Sequence, residues 1–303
     1  MSEQQPYCLA TVTSENYFQW TMTMLYSFVT SNPWFRGDIV VICKDLPAEM
    51  LRGLNLFNQV RIIAPAPVIE KKLDEISESI PKFKSIASRF YSLEIFRLGK
   101  YHKLLFLDSD MIVTGSVEEL FRLPGSFYAS AELCWYKGKG RSGSNFLSGF
   151  REENLNGFIE KPVNTGFMLV DGSVLGSLHY DALVNRIQPG LWENNTLIYT
   201  DELIINLYFK GKITLLDTRY NYRARAARIV KEKENVAFED AKIIHYYSKF
   251  KPWNFSEVLA TSARNINWLK AYETWYNWYF RFLKFYHLQQ KISGFKQESD
   301  NVR

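Results

Sequence analysis

The sequence predicts an α/β protein built on a single, mostly parallel central sheet with helices on both faces, followed by a helical extension at the C-terminus. Through the first third of the chain, short β-prone runs alternate with helix-forming segments, and the clearest of those runs are apolar on both faces, as buried parallel strands must be. Composition agrees. Of 303 residues, 47% are hydrophobic and 23% charged, the proportions of a chain that buries an ordinary core, and 16 Gly with 10 Pro are too few for a low-complexity segment. In such a sheet, ligands bind beyond the carboxyl ends of the strands.

Taken in order, Tyr7 to Thr13 (YCLATVT) reads as the first strand, and Tyr17 to Thr30 as a helix closed by Asn32-Pro33. Asp38 to Cys43 (DIVVIC) is the second strand, Ala48 to Leu56 the next helix and Val60 to Ile63 the third strand. Pro65 to Lys84, with three Pro and mixed charge, reads as a surface excursion, and Ser85 to Leu98 as a helix with Arg89 near its start. Lys103 to Val113 (KLLFLDSDMIV) is a buried strand interrupted by Asp108-Ser109-Asp110 that resumes with Met111-Ile112-Val113. Val163 to Val170 (VNTGFMLV) is an apolar strand entered through Asn164, Thr165 and a Gly, and Asp201 to Lys210 a helix with Asp201 at its start. Ile213 to Leu216 and Lys242 to Tyr246 are late strands, the last opening into Ser248-Lys249-Phe250-Lys251-Pro252-Trp253.

Three scattered cysteines, Cys8, Cys43 and Cys134, form neither a disulfide framework nor a zinc-site spacing, which points to a reducing compartment. The polar opening MSEQQPY lacks the features of a secretory signal, so a cytoplasmic location is expected. The net charge of +5 is uneven: Arg264, Lys270, Arg281, Lys284 and Lys291 face only Glu273 in that stretch. A nucleic-acid binder would spread its basic footprint over the folded surface, so no nucleic-acid partner is expected. The sequence has no P-loop, nucleophile-elbow or H-E-x-x-H motif, and no G-x-G-x-x-G follows the first strand.

Asp108 and Asp110 stand two apart, and on an extended strand both carboxylates share one face, where they repel unless a cation or a proton sits between them. They read either as ligands of a hard metal that bridges to a diphosphate or as caps of a strand-end turn. His245 follows Ile243-Ile244 and reads either as a structural residue or as a third ligand. An imidazole with two carboxylates suits Mn²⁺ or Mg²⁺, and the basic loop holding Ser248, Lys249 and Lys251 would present cations to phosphate oxygens, unless it is simply solvated.

Four segments, LFLDSDMIVTGSVEELF (105–121), VNTGFMLVD (163–171), TDELIINLYF (200–209) and HYYSKFKPWN (245–254), resemble in order and spacing the family 8 retaining glycosyltransferases, the glycogenin-like group. The resemblance spans roughly residues 7–255, and His245, Lys251, Pro252 and Trp253 carry its most specific part. It implies a GT-A fold with a Rossmann-like sheet, and Mn²⁺ (or Mg²⁺) held by Asp108, Asp110 and His245. It further implies a UDP-sugar donor met by Thr11, Val12, Thr13, Tyr17, Arg89, Ser109, Thr165, Ser248 and Lys251, with Asn164, Asp201 and Glu202 around the transferred sugar. Tyr17 suits stacking on uracil. Ser248 replaces the family's usual Gly and Glu202 its commoner Gln, while Arg228 falls near the tyrosine that glycogenin glucosylates on itself, which implies a separate acceptor.

The expected activity is metal-dependent, retaining transfer of glucose or galactose from UDP to a saccharide, glycolipid or glycoprotein acceptor. A non-catalytic sugar-nucleotide-binding or scaffold protein and, more weakly, a metal-dependent phosphohydrolase are the rivals. Residues 1–260 are read as the catalytic domain and 261–303 as the extension. In the extension, aromatic residues mixed with Lys270, Arg281 and Lys284 suit either peripheral contact of residues 264–291 with anionic lipid, or packing on the catalytic domain or on the second subunit of a homodimer.

Overall fold

A computed structural model of the chain describes residues 7–133, 151–152, 157–158, 162–192, 199–247, 251–254, 256, 258–259 and 266–300. Strands β1 (Tyr7–Thr13), β2 (Asp38–Cys43) and β3 (Val60–Ile63) alternate with helices α1 (Phe18–Ser31) and α2 (Ala48–Leu54), as the apolar pattern predicts. Then follow α3 (Pro67–Ser79), β4 (Lys103–Leu107), β5 (Met111–Val113), β6 (Phe127–Ala131), a short ribbon of β7 (Arg151–Glu152) with β8 (Gly157–Phe158), and β9 (Val163–Asp171). The remainder comprises α4 (Ser177–Val184), α5 (Asp201–Tyr208), β10 (Thr214–Leu216), α6 (Ala227–Glu234), β11 (Ile243–His245) and α7 (Ile266–Asp300).

Seven strands form the central sheet in the order β10-β6-β9-β4-β1-β2-β3. β3, β2, β1 and β4 run parallel, and β9 lies antiparallel between β4 and β6. Alternate residues of each strand enter opposite cores. Leu104 and Phe106 pack with Ile69, Leu73, Leu183 and Ile204 on one face, whereas Leu105 and Leu107 pack with Met22, Leu25, Phe28 and Phe282 on the other.

Three expectations are corrected. The segment Pro65 to Lys84 is no loose excursion. Pro67 at the first turn starts α3, and Ile69, Leu73 and Ile76 recur at helical spacing and are buried. Ser85 to Leu98 is realised as a 3₁₀ stretch over Ala87–Arg97. The run Lys103 to Val113 is not one strand: β4 belongs to the central sheet, but β5 leaves it and pairs antiparallel with β11, so Asp108-Ser109-Asp110 is the turn between two sheets.

The aromatic C-terminal segment packs inward. Trp268, Tyr272, Trp275, Trp278 and Phe282 are buried against α1, α6 and the small β5–β11 sheet, while Leu269, Phe280 and Leu288 remain exposed. Burial of an apolar side chain of this size contributes about 1.5–3 kcal/mol, so the aromatic share belongs largely to the core. Among the described residues no helix is long and apolar enough to cross a membrane.

Lys103, at the start of β4, is only 3% exposed, and its Nζ lacks a hydrogen-bond partner among the described residues. Burial holds its amine below the usual lysine value, opposed only in part by Asp171. At neutral pH the folded state therefore carries an unpaired buried charge, and the resulting destabilisation fades as pH rises toward the unfolded value of 10.5. Lys103→Met is expected to stabilise the protein by about 1–3 kcal/mol at neutral pH. Thermal melts should show that gain shrinking above the folded-state pKa; a lower melting temperature for the variant would contradict it.

Candidate active site

The turn after β4 and the end of β11 meet at the carboxyl end of the sheet. Asp108, Asp110 and His245 bring one ligand atom each within 4.8 Å of one another, with His245 Nε2 at 3.7 Å from Asp108 Oδ2 and 3.3 Å from Asp110 Oδ1. The spacing argument that placed both carboxylates on one strand face does not hold, since they project from a turn. They converge because β5 pairs with β11, which sets His245 opposite Met111. Gly166 on β9 permits the approach: a Cβ there would stand 2.6 Å from His245 Cε1 and 2.7 Å from Asp108 Oδ2.

Burial, and then the carboxylates of Asp110 and Asp201, push Asp108 above its ordinary value. Burial opposes charge on Asp110 too, but the Lys251 ammonium outweighs it and holds that carboxyl below the usual range. Lys251 Nζ donates to Asp110 Oδ2 and, at 2.7 Å, to the Tyr246 carbonyl. Desolvation keeps His245 below its usual value, hence neutral at pH 7. Its tautomer is set by Asn221, whose Oδ1 lies 2.9 Å from Nδ1 and accepts that proton, leaving Nε2 with a lone pair toward the two carboxylates. The donor set, two carboxylates and an unprotonated imidazole nitrogen within 4.8 Å of one another, therefore fits a hard divalent cation.

Asn221 Nδ2 donates to Asn164 Oδ1 at 2.9 Å, and Asn164 Nδ2 donates to Glu202 Oε2 at 3.0 Å. Asp201, at the first turn of α5, accepts from three hydroxyls: Ser92 at 2.8 Å, Thr165 at 2.9 Å and Thr200 at 2.8 Å. Except for Asn221, which is fully buried, these groups line a cavity of about 800 Å³ together with Val12, Thr13, Tyr17, Arg89, Ser109 and Lys251. Thr11 is not part of the lining; it is fully buried beneath the cavity wall. Ser109 and Thr13 reach the wall, but their hydroxyls are engaged in structure: Ser109 donates to the Val12 carbonyl and accepts from Thr21, which also meets Thr13. Ser248 lies outside the described residues. Arg228, on α6, is 93% exposed and paired with Glu232.

Asn221, Ser92 and Thr200 carry no motif of their own and are missed by reading the sequence. Asn221 and Ser92 act through partners far along the chain, and Thr200 through the adjacent Asp201. Asn221→Ala is expected to weaken Mn²⁺ binding about 10- to 100-fold, the usual effect of losing a group that orients a ligating imidazole. Titration with Mn²⁺ checks it; unchanged affinity would mean that the ring is oriented by its packing alone.

A metal-competent acidic and imidazole cluster at the strand tips of a mixed α/β sheet, beside a cavity with basic and aromatic residues in its wall, defines a class of α/β proteins with a ligand site beyond the carboxyl ends of the strands. Within that class the chain belongs to glycosyl transferase family 8, whose pattern it matches over residues 8–257. It is 26% identical over 240 residues to Glycosyltransferase GlyF of Streptococcus pneumoniae serotype 4, covering 77% of this chain and 53% of that protein. It is 24% identical over 238 residues to Galactinol synthase 1 of Solanum lycopersicum, covering 72% and 64%. The chain thus spans about half to two thirds of these relatives. The crystal structure of the galactosyltransferase LgtC with donor and acceptor sugar analogs superposes with a TM-score of 0.63 at 17% identity, over 88% of this chain and 95% of LgtC, so the GT-A fold is shared.

Proposed function

We propose that the chain is a retaining hexosyltransferase that moves glucose or galactose from a UDP-sugar to a separate saccharide, glycolipid or glycoprotein acceptor. The observation that carries this reading is the convergence of Asp108, Asp110 and His245 in one cavity with Lys251 and Asp201. Asp108, Asp110 and His245 would hold Mn²⁺ or Mg²⁺, which when bound neutralises the diphosphate of the leaving UDP. Lys251 adds a second positive charge where the β-phosphate becomes an anion, in a partly buried site where such a charge counts for more than in water. Tyr17, with its ring partly exposed at the cavity wall, is placed to stack on uracil, and Val12 and Thr13 border the same end. Arg89, on the 3₁₀ stretch, supplies a further cation toward the donor.

Asp201 is the carboxylate offered to the positive charge that develops at the anomeric carbon, and its three hydroxyl partners fix its orientation. Asn164 and Glu202, tied to each other, present amide and carboxylate atoms for sugar hydroxyls. Calorimetric titration with UDP and Mn²⁺, followed by UDP release from UDP-glucose and UDP-galactose, tests the reading. Tight UDP binding without release from either donor would assign a non-catalytic sugar-nucleotide-binding protein instead, and no binding at all would end the proposal.

A contact with anionic lipid would be made by the outer face of α7, where exposed Leu269, Phe280 and Leu288 neighbour Arg281, Lys284 and Lys291. Phe280→Asp with Lys284→Glu is then expected to abolish co-sedimentation with phosphatidylserine vesicles. Equal sedimentation of variant and parent would remove the membrane contact.

A further inference from the structure

One face of α7 packs as core, and part of that face is built against the loop that carries Lys251. Trp253 lies flat on Trp20 of α1, with ring centroids 4.3 Å apart and planes 9° from parallel. Trp275 of α7 closes this pair from the side, 5.2 Å from Trp20 and 5.7 Å from Trp253. Tyr276 donates its hydroxyl to the Pro252 carbonyl at 2.7 Å. Tyr279 stacks on Trp275 at 4.9 Å and accepts from Gln19, two residues after Tyr17. On the strand side, Tyr246, adjacent to His245, donates to the Ala271 carbonyl of α7 at 2.5 Å. Lys251 Nζ sits between two rings of this assembly, 5.9 Å from that of Tyr17 and 5.7 Å from that of Trp253. Tyr17 and Trp253 meet edge to face at 6.1 Å.

From this arrangement we infer that α7 is a positioning element of the donor pocket, in which Trp275 and Tyr276 hold the Lys251–Trp253 segment against Trp20 and Tyr17. A core helix needs only apolar burial. Here a hydroxyl grips the backbone one residue after Lys251, and the indole that wedges Trp253 against α1 belongs to the same turn of α7. Lys251 has a long flexible side chain, and fixing its backbone and flanking it with two rings lowers the entropy lost when it meets a phosphate. Trp275 and Tyr276 touch neither nucleotide nor sugar in this scheme; they act through Lys251, Trp253 and Tyr17.

The inference rests on the donor role proposed for Tyr17 and Lys251, and the test separates the two. UDP affinity in the presence of Mn²⁺ is measured by calorimetry for the full chain and for Tyr276→Phe, Trp275→Ala, Trp275→Phe and the outer-face control Leu288→Ala, with a thermal melt of each. Tyr276→Phe, which removes a single hydroxyl, is expected to weaken UDP binding about 3- to 10-fold, the worth of one hydrogen bond. Trp275→Ala should weaken it by at least about tenfold and Trp275→Phe should recover part of that loss, since a smaller ring keeps the wedge. Leu288→Ala should match the parent. In the parent, UDP should also change the tryptophan emission of the Trp20–Trp253–Trp275 cluster, and that change should be reduced in Trp275→Phe. If the parent binds UDP and folded Tyr276→Phe binds it equally well, the positioning role is overturned, whatever the stability of Trp275→Ala. A parent that does not bind UDP overturns the donor reading itself.

Discussion

Asp110→Ala is expected to abolish measurable Mn²⁺ binding and to lower UDP release from a UDP-sugar by about 10²–10³-fold or more, the scale of losing one main stabiliser of a developing anion. Asp110 is the most tightly held of the three candidate ligands. Its side chain is 11% exposed, against 44% for Asp108, and it lies between His245 and Lys251. Removing it takes away a ligand atom and also the acceptor that anchors the Lys251 ammonium. Part of what raises the Asp108 carboxyl is the charge of Asp110, so the variant should leave Asp108 closer to its ordinary value without restoring a metal site. Mn²⁺ electron paramagnetic resonance and calorimetry would read this directly. A variant that still binds the ion with parental affinity would exclude the cluster as the metal centre.

The second large effect is on Asp201. Asp201→Asn is expected to lower kcat by about 10²–10³-fold, equivalent to about 3–4 kcal/mol of transition-state stabilisation, while UDP affinity with Mn²⁺ stays near parental. The separation follows from the geometry: Asp201 is tied to Ser92, Thr165 and Thr200, whereas the candidate metal ligands are tied to Asn221 and Lys251. Asparagine keeps the shape and an acceptor oxygen, so the fold should survive, but it removes the negative charge available to an oxocarbenium-like centre. Equal losses in UDP affinity and in turnover would place Asp201 in donor binding rather than at the reacting carbon.

Strands β1, β2 and β9 are legible because each is a short, largely buried apolar run bounded by polar residues, whereas β3 is an edge strand marked only by its β-branched residues, with Arg61 and Ile62 exposed. Direction is less legible: nothing local to VNTGFMLVD says that β9 runs against its neighbours, since that is decided by where the connections before and after it travel. The helix α3 hides behind Pro65 and Pro67, which look like loop punctuation although Pro67 simply occupies the first turn. The chemistry-bearing residues Asp108, Asp110, Asp201 and His245 stand out because charge or imidazole interrupts an apolar context. Their supports do not. Asn221 sits between two tyrosines and Ser92 within a 3₁₀ stretch, and only tertiary contact sets one on His245 and the other on Asp201. The aromatic C-terminus shows that a basic, aromatic helix reads alike from sequence whether its rings face lipid or a folded neighbour.

The small β5–β11 sheet has a consequence for the order of assembly. Its two strands are joined by contacts such as that of Thr114 with the Ala241 carbonyl, 127 residues apart in the chain. Closing so wide a loop is entropically slow, and it cannot begin until the later partner has been synthesised. A nascent chain that has already laid down β1 to β5 would therefore carry its two carboxylates but no imidazole opposite them. Competence to grip an ion should arise in one late event, when β11 docks, and refolding followed by Mn²⁺ uptake should lag behind the recovery of secondary structure.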